Sequence, residues 1–191
     1  MGAGAVTLIA VAALAVVVLG WGIAIYNRLV ARTQQTEEGW SGIDVQLKRR
    51  ANLIPNLVET VKGYAAHERA LLERITDARA RAGRAEASGA PAERAAAEAD
   101  MSAGLIRLFA VAENYPELKA NENFVQLQSS LEEIESHIQM ARRYYNGAVR
   151  DINTLIGQFP SNIVAGLFRF RTANYFEIDE PGDRALPEVG F

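Results

Sequence analysis

The chain has 191 residues, 49% of them hydrophobic, with a formal charge of −3 and no cysteine. Such a length suits a single domain of modest core plus a terminal segment, and the missing cysteine excludes disulfides, thiolate nucleophiles and cysteine metal sites. Five acids against one arginine in residues 177–191 carry the negative charge, leaving a near-neutral body that offers neither a nucleic-acid surface nor a polybasic lipid sensor.

Residues Val6 to Ile25 form an uncharged apolar run, and every charged residue follows it. As a helix the run would rise about 30 Å, the thickness of a bilayer's hydrocarbon core. A cleaved signal peptide would carry a positive n-region, a shorter apolar core and a small-x-small site, so an uncleaved anchor over residues 1–27 is expected. Trp21 and Tyr26 suit the headgroup boundary, with Arg28 just beyond. Because Arg28 and Arg32 follow the span and no basic side chain precedes it, the positive-inside bias sends the N-terminus out and keeps the C-terminal side in the cytoplasm.

Leu29, Thr33, Thr36, Trp40, Ile43, Leu47 and Ala51 recur at helical spacing, so the span continues into a first soluble helix. Gly39 and Gly42 weaken that helix without stopping it. Pro55 predicts a break or kink, with Asn52 as a cap for a second helix over about Pro55 to Ala87. Ser88-Gly89-Ala90-Pro91 reads as a turn opening a third helix, anchored by Met101, Leu105, Leu108, Ala112 and Tyr115 and ended by Pro116. Leu118 to Asn123 connects to the fourth helix, which Asn121 or Asn123 can cap.

The fourth helix has the clearest pattern: Phe124, Leu127, Leu131, Ile134, Ile138, Ala141, Tyr145, Ala148, Ile152, Leu155 and Phe159 alternate spacings of three and four until Pro160. The expected fold is all-α: a transmembrane helix continuing into an antiparallel up-and-down four-helix bundle over residues 28–160. Residues 161–191 then form a juxtamembrane apolar and arginine segment followed by an extended acidic tail. If the fourth helix ends at the base, Phe168, Arg169, Phe170 and Arg171 lie beside the membrane. Leu167, Phe168 and Phe170 would plug the open end of the bundle, the simpler reading, or the alternating Phe and Arg of the segment from Ile163 to Arg171 would sit as an interfacial anchor.

Catalytic chemistry is scarce. His67 and His137 lack the Glu-x-x-His and His-Glu-x-x-His spacings of metal bundles and zinc peptidases, and no nucleophile elbow or phosphate loop occurs. Glu132, Glu133 and Glu135 read as a wet helix face outside the seam. No enzyme activity, metal or cofactor is expected. Polar residues do cluster around the first hinge, including Lys48, Arg49, Arg50, Asn52 and Asn56. Capping and i,i+4 pairs such as Gln46 with Arg50 account for them most simply. A docking surface at the membrane-distal tip is the sharper reading, if the chain reverses at Pro55.

The stretch from Trp40 to Glu68, WSGIDVQLKRRANLIPNLVETVKGYAAHE, closely resembles the signature of the bacterial LemA family. The likeness extends through Tyr26-Asn27, the Ala112 to Asn121 segment AENYPELKAN, Ala141-Arg142-Arg143-Tyr144-Tyr145-Asn146, Phe159-Pro160, Tyr175-Phe176-Glu177 and the ending Pro187-Glu188-Val189-Gly190-Phe191. The resemblance implies a single-pass protein of the bacterial cytoplasmic membrane with a helical-bundle soluble part. It carries over no catalytic or ligand residues. Relatives occur near membrane metallopeptidases and TPM-domain proteins, which makes such membrane proteins expected partners, alongside membrane lipid and a second copy of the chain. One branch is implicated in building magnetosome membranes; this chain lacks the longer N-terminal extension expected of that branch, and the role is not carried across. The expected function is a non-enzymatic interaction scaffold, the alternative a self-associating membrane-shaping protein. The latter is motivated by the small-residue face Ala12, Val16, Gly20 and Ala24.

Overall fold

The computed structural model describes residues 2–65, 67–88 and 91–176, and they are helical throughout their regular structure, as the periodicity predicts. Six helices follow in order: α1 (Ala3–Lys62), α2 (Arg69–Ser88), α3 (Pro91–Ala112), α4 (Pro116–Lys119), α5 (Glu122–Gly157) and α6 (Ser161–Leu167). The acidic tail, the ending Pro187 to Phe191 and the centre of the Ser88–Pro91 turn lie outside the described residues.

Contacts divide the chain into two units, one of Met1–Ser41 with Tyr144–Asn174 and one of Gly42–Arg143 with Tyr175–Phe191. The second holds the larger core. Ile54, Leu57, Val58 and Val61 of α1 meet Leu72, Ile75 and Ala78 of α2, Met101, Leu105 and Leu108 of α3, Leu118 of α4, and Phe124 and Leu131 of α5. Directions alternate around this core. Arg81 pairs with Asp100 and Ile75 lies against Gly104, so α3 descends as α2 rises. Lys48 pairs with Glu86, whereas Asp44 and Arg50 pair with Arg94 and Glu98, so α1 runs against α2 and along α3. The unit is thus consistent with an up-and-down arrangement of four helical segments.

Three boundaries differ from the sequence expectation. Pro55 neither breaks the helix nor reverses the chain: α1 continues to Lys62, and the reversal comes between Gly63 and Glu68. The missing N–H orphans the Ala51 carbonyl, and Arg79 of α2 donates to that oxygen from Nε at 2.8 Å. Pro116 does not merely end the third helix. It opens α4, a single turn whose Leu118 is fully buried. Finally, α5 stops at Gly157, so Phe159 drops out of the seam and is 76% exposed. Asn121 is the α5 cap, accepting from the Phe124 N–H at 3.0 Å.

In the first unit, Leu29 of α1 is buried with Ile152 and Leu155 of α5 and Ala165 of α6. Gly39 allows α1 and α5 to come close, since a Cβ there would lie 3.0 Å from the Tyr145 Cα. The apolar run at the start of α1 is exposed until its end, where Ile25 packs against the Leu29 cluster, and is long and apolar enough to cross a membrane. After α6, Asn153 clamps the extended chain, donating to the Ala173 carbonyl and accepting from its N–H, both at 2.9 Å. Tyr145 donates its hydroxyl to the Asn174 carbonyl at 2.8 Å, and burial pushes that phenol's pKa up.

Candidate functional site

The hinge residues predicted as a docking cluster fall inside the last part of α1 and not at a chain reversal, and they separate into two kinds. Arg50 is 1% exposed and therefore unavailable to a partner. It stands three residues after Leu47 and four before Ile54, a seam spacing that could have revealed its burial. Its guanidinium donates to Glu98 Oε2 at 2.6 Å, Glu135 Oε2 at 2.7 Å and Ser102 Oγ at 2.9 Å. It turns across the unit to these groups and makes no pair with Gln46. Glu98 is as buried as Arg50, whereas the Glu135 side chain is 40% exposed. Glu135 is therefore part of a structural network and not simply a wet face.

Lys48, Arg49, Asn52 and Asn56 are exposed on α1. Lys48 bridges Asp44 at 2.8 Å and Glu86 at 2.9 Å, and these hydrogen bonds raise its pKa above the ordinary lysine value. Burial pushes the Asp44 carboxyl up, but hydrogen bonds from Lys48 and Arg94 outweigh it and hold the pKa below the usual carboxylate range. A cleft of about 440 Å³ between α1, α2 and α3 is lined by Lys48, Asn52, Arg79, Glu86, Arg94 and Glu98 among others.

At the reversal after α1, Asn121 donates to the Tyr64 hydroxyl at 3.0 Å and Tyr115 donates to Glu68 at 3.4 Å. These ties hold the Gly63–Glu68 turn to the segment around α4. An open cleft of about 750 Å³ beside them is lined by Val58, Lys62, Ala65, Arg69, Leu72, Glu73, Thr76 and Asp77. His67 is exposed and outside its lining. Among the described residues no group of three or more His, Asp or Glu side chains could hold a metal ion.

The predicted membrane-interface residues belong to the first unit. The Tyr26 ring lies 4.7 Å from that of Phe168 and 5.8 Å from that of Phe170. Phe170 is half-buried against the Leu29 cluster. Phe168, Leu167 and Ile163 are 55%, 74% and 62% exposed. Trp21, Arg28, Arg169 and Arg171 are exposed as well. Sequence reasoning placed Ile163 in the juxtamembrane segment but did not foresee α6, the short helix that carries it.

Among known proteins, magnetosome protein MamQ 2 of Paramagnetospirillum magneticum is 28% identical, over 84% of this chain and 68% of its own length. MamQ of Magnetospirillum gryphiswaldense is 25% identical with the same coverage. Protein LemA of Metamycoplasma hominis is 23% identical, over 81% of this chain and 69% of its own. These relatives and the apolar span of α1 are consistent with a membrane-associated protein. The family model described as LemA family matches residues 39–191, and the chain belongs to that family.

Proposed function

We propose that this protein is a non-enzymatic interaction scaffold, anchored in the bacterial cytoplasmic membrane by the start of α1 with its helical core on the cytoplasmic side. The observation that carries the reading is α1 itself. One unbroken 60-residue helix supplies both an exposed apolar span and four residues of the larger core. The exposed row Arg49, Asn52 and Asn56 is the surface offered to a partner; Arg50 is excluded by its burial. Partners of the kind the family resemblance suggests are membrane metallopeptidases and TPM-domain proteins.

A photo-reactive residue at Asn52 or Asn56, activated in intact membranes, tests this. The expected result is one crosslinked membrane protein, lost on Arg49→Glu with helicity and membrane extraction unchanged. Recovery of the chain in the soluble fraction, or crosslinks insensitive to Arg49→Glu, would overturn it.

The relatives named as magnetosome proteins favour a second reading, a self-associating protein that shapes membranes. The span face Ala12, Val16, Gly20 and Ala24 supports it, since the space at Gly20 is open to a close neighbour. Tubulated liposomes or ring-like oligomers would favour this reading; a monomeric detergent species with inert liposomes would end it.

A further inference from the structure

We infer that α6 is a second membrane attachment: Ile163, Leu167 and Phe168 insert shallowly into the lipid monolayer beside the end of the span, with Arg169 at the phosphates. The inference rests on the reading that α1 crosses a bilayer.

Depth comes first. A helix rises about 1.5 Å per residue, so a span that starts at Val6 reaches the far edge of a roughly 30 Å hydrocarbon core near Tyr26. The Tyr26 ring touches Phe168 at 4.7 Å, which puts the end of α6 at the same level. The exposed apolar patch is therefore continuous with the lipid-facing surface of the span.

Facing comes second. Ser161 and Ala165, one helical turn apart, are buried, while Ile163 and Leu167, also one turn apart, are exposed on the opposite side. α6 thus has a protein face and an apolar outer face. Exposed large apolar groups rimmed by charge mark interaction surfaces, and beside a span the adjoining apolar phase is lipid.

The third observation is the backbone. The Phe170 N–H donates to the Ala165 carbonyl at 2.9 Å and the Arg169 N–H to the Gly166 carbonyl at 3.3 Å, closing α6 in a Schellman motif. Arg169 holds its left-handed position at φ 59°, where glycine is the usual occupant. Keeping a long cation at a strained site fits a role for its charge, and exposed Arg28 and Arg171 lie on neighbouring segments of the same unit.

The absence of cysteine allows single spin labels in the 191-residue chain. We would label Ile163→Cys, Leu167→Cys, Val16→Cys and Met140→Cys variants in phosphatidylcholine–phosphatidylglycerol vesicles. Collisions with oxygen and with a water-soluble nickel chelate are then compared. Labels at 163 and 167 are expected to favour oxygen, at a shallower depth than 16, with 140 favouring nickel. If 16 reports lipid while 163 and 167 report water, the inference fails and the anchor stands. Shielding of 163 and 167 from both reagents would mean that protein, such as a second copy, covers the patch, and would also overturn it. Water at 16 would sink the anchor and the inference together.

Discussion

Arg79 donates from Nε to the Ala51 carbonyl at 2.8 Å, the acceptor that Pro55 leaves without its helical donor. This bond explains how a helix can hold a proline at an interior position and still reach Lys62. A hydrogen bond from a charged donor contributes about 1.5–3 kcal/mol, and an orphaned carbonyl adds a desolvation cost. Arg79→Ala is therefore expected to destabilise the protein by about 1.5–3 kcal/mol. With Pro55→Ala the helix supplies its own N–H, so the same Arg79 change should cost distinctly less. Denaturation of the four members of this double-mutant cycle in detergent checks it; strict additivity would refute the coupling.

Arg50 and Glu98 form a buried ion pair. Removing one partner strands the other charge, so Arg50→Ala should lower stability by about 3–5 kcal/mol. Arg50→Lys should not rescue it, because a single ammonium cannot reproduce the fork that reaches two carboxylates and Ser102. The adjacent Arg49→Ala is expected to stay within about 0.5 kcal/mol, as exposed positions do. Chemical denaturation of the three variants separates the roles of these neighbouring arginines.

Two glycines close together in α1 should respond oppositely to alanine. At Gly39 the new Cβ meets the Tyr145 backbone at 3.0 Å, and overpacking of that kind costs about 1–3 kcal/mol. At Gly42 nothing lies within 4 Å, so Gly42→Ala should stabilise by up to about 1 kcal/mol through helix propensity. Thermal unfolding of each variant, with the wild-type chain alongside, measures both signs.

The Asp44 carboxyl has a folded pKa below its unfolded value of about 3.9. Its contribution to stability is complete above the unfolded value and is lost as pH falls through the folded one. Asp44→Asn should therefore lower the Tm at neutral pH and flatten its fall below about pH 4. Added salt should shrink the difference, because the Asp44 side chain is 23% exposed and its partner Lys48 is 52% exposed. A Tm–pH profile of both proteins at two ionic strengths tests this.

Much of the fold was legible in the chain. The α5 seam is visible because Phe124, Leu131, Ile138, Tyr145 and Ile152 recur every seven residues, and each is buried. The span was legible for a simpler reason: twenty uncharged apolar residues need no partner to declare themselves. The turn after α1 was not, because Pro55 carries the stronger local signal and Gly63 the weaker. Of the candidate binding residues, Arg49, Asn52 and Asn56 lie where a solvated helix face predicts, whereas Arg50 does not.

Local sequence by itself determined the helical periods, the apolar span and the want of thiol chemistry, since each depends only on residue type and near neighbours. Only the tertiary structure decided that α1 survives Pro55, which carboxylates close on Arg50 and that Ile163 and Leu167 point outward. Each of those outcomes depends on a group distant in the chain, Arg79, Glu98 or the Leu29 that buries Ala165, and a spacing rule has no term for a partner it cannot see.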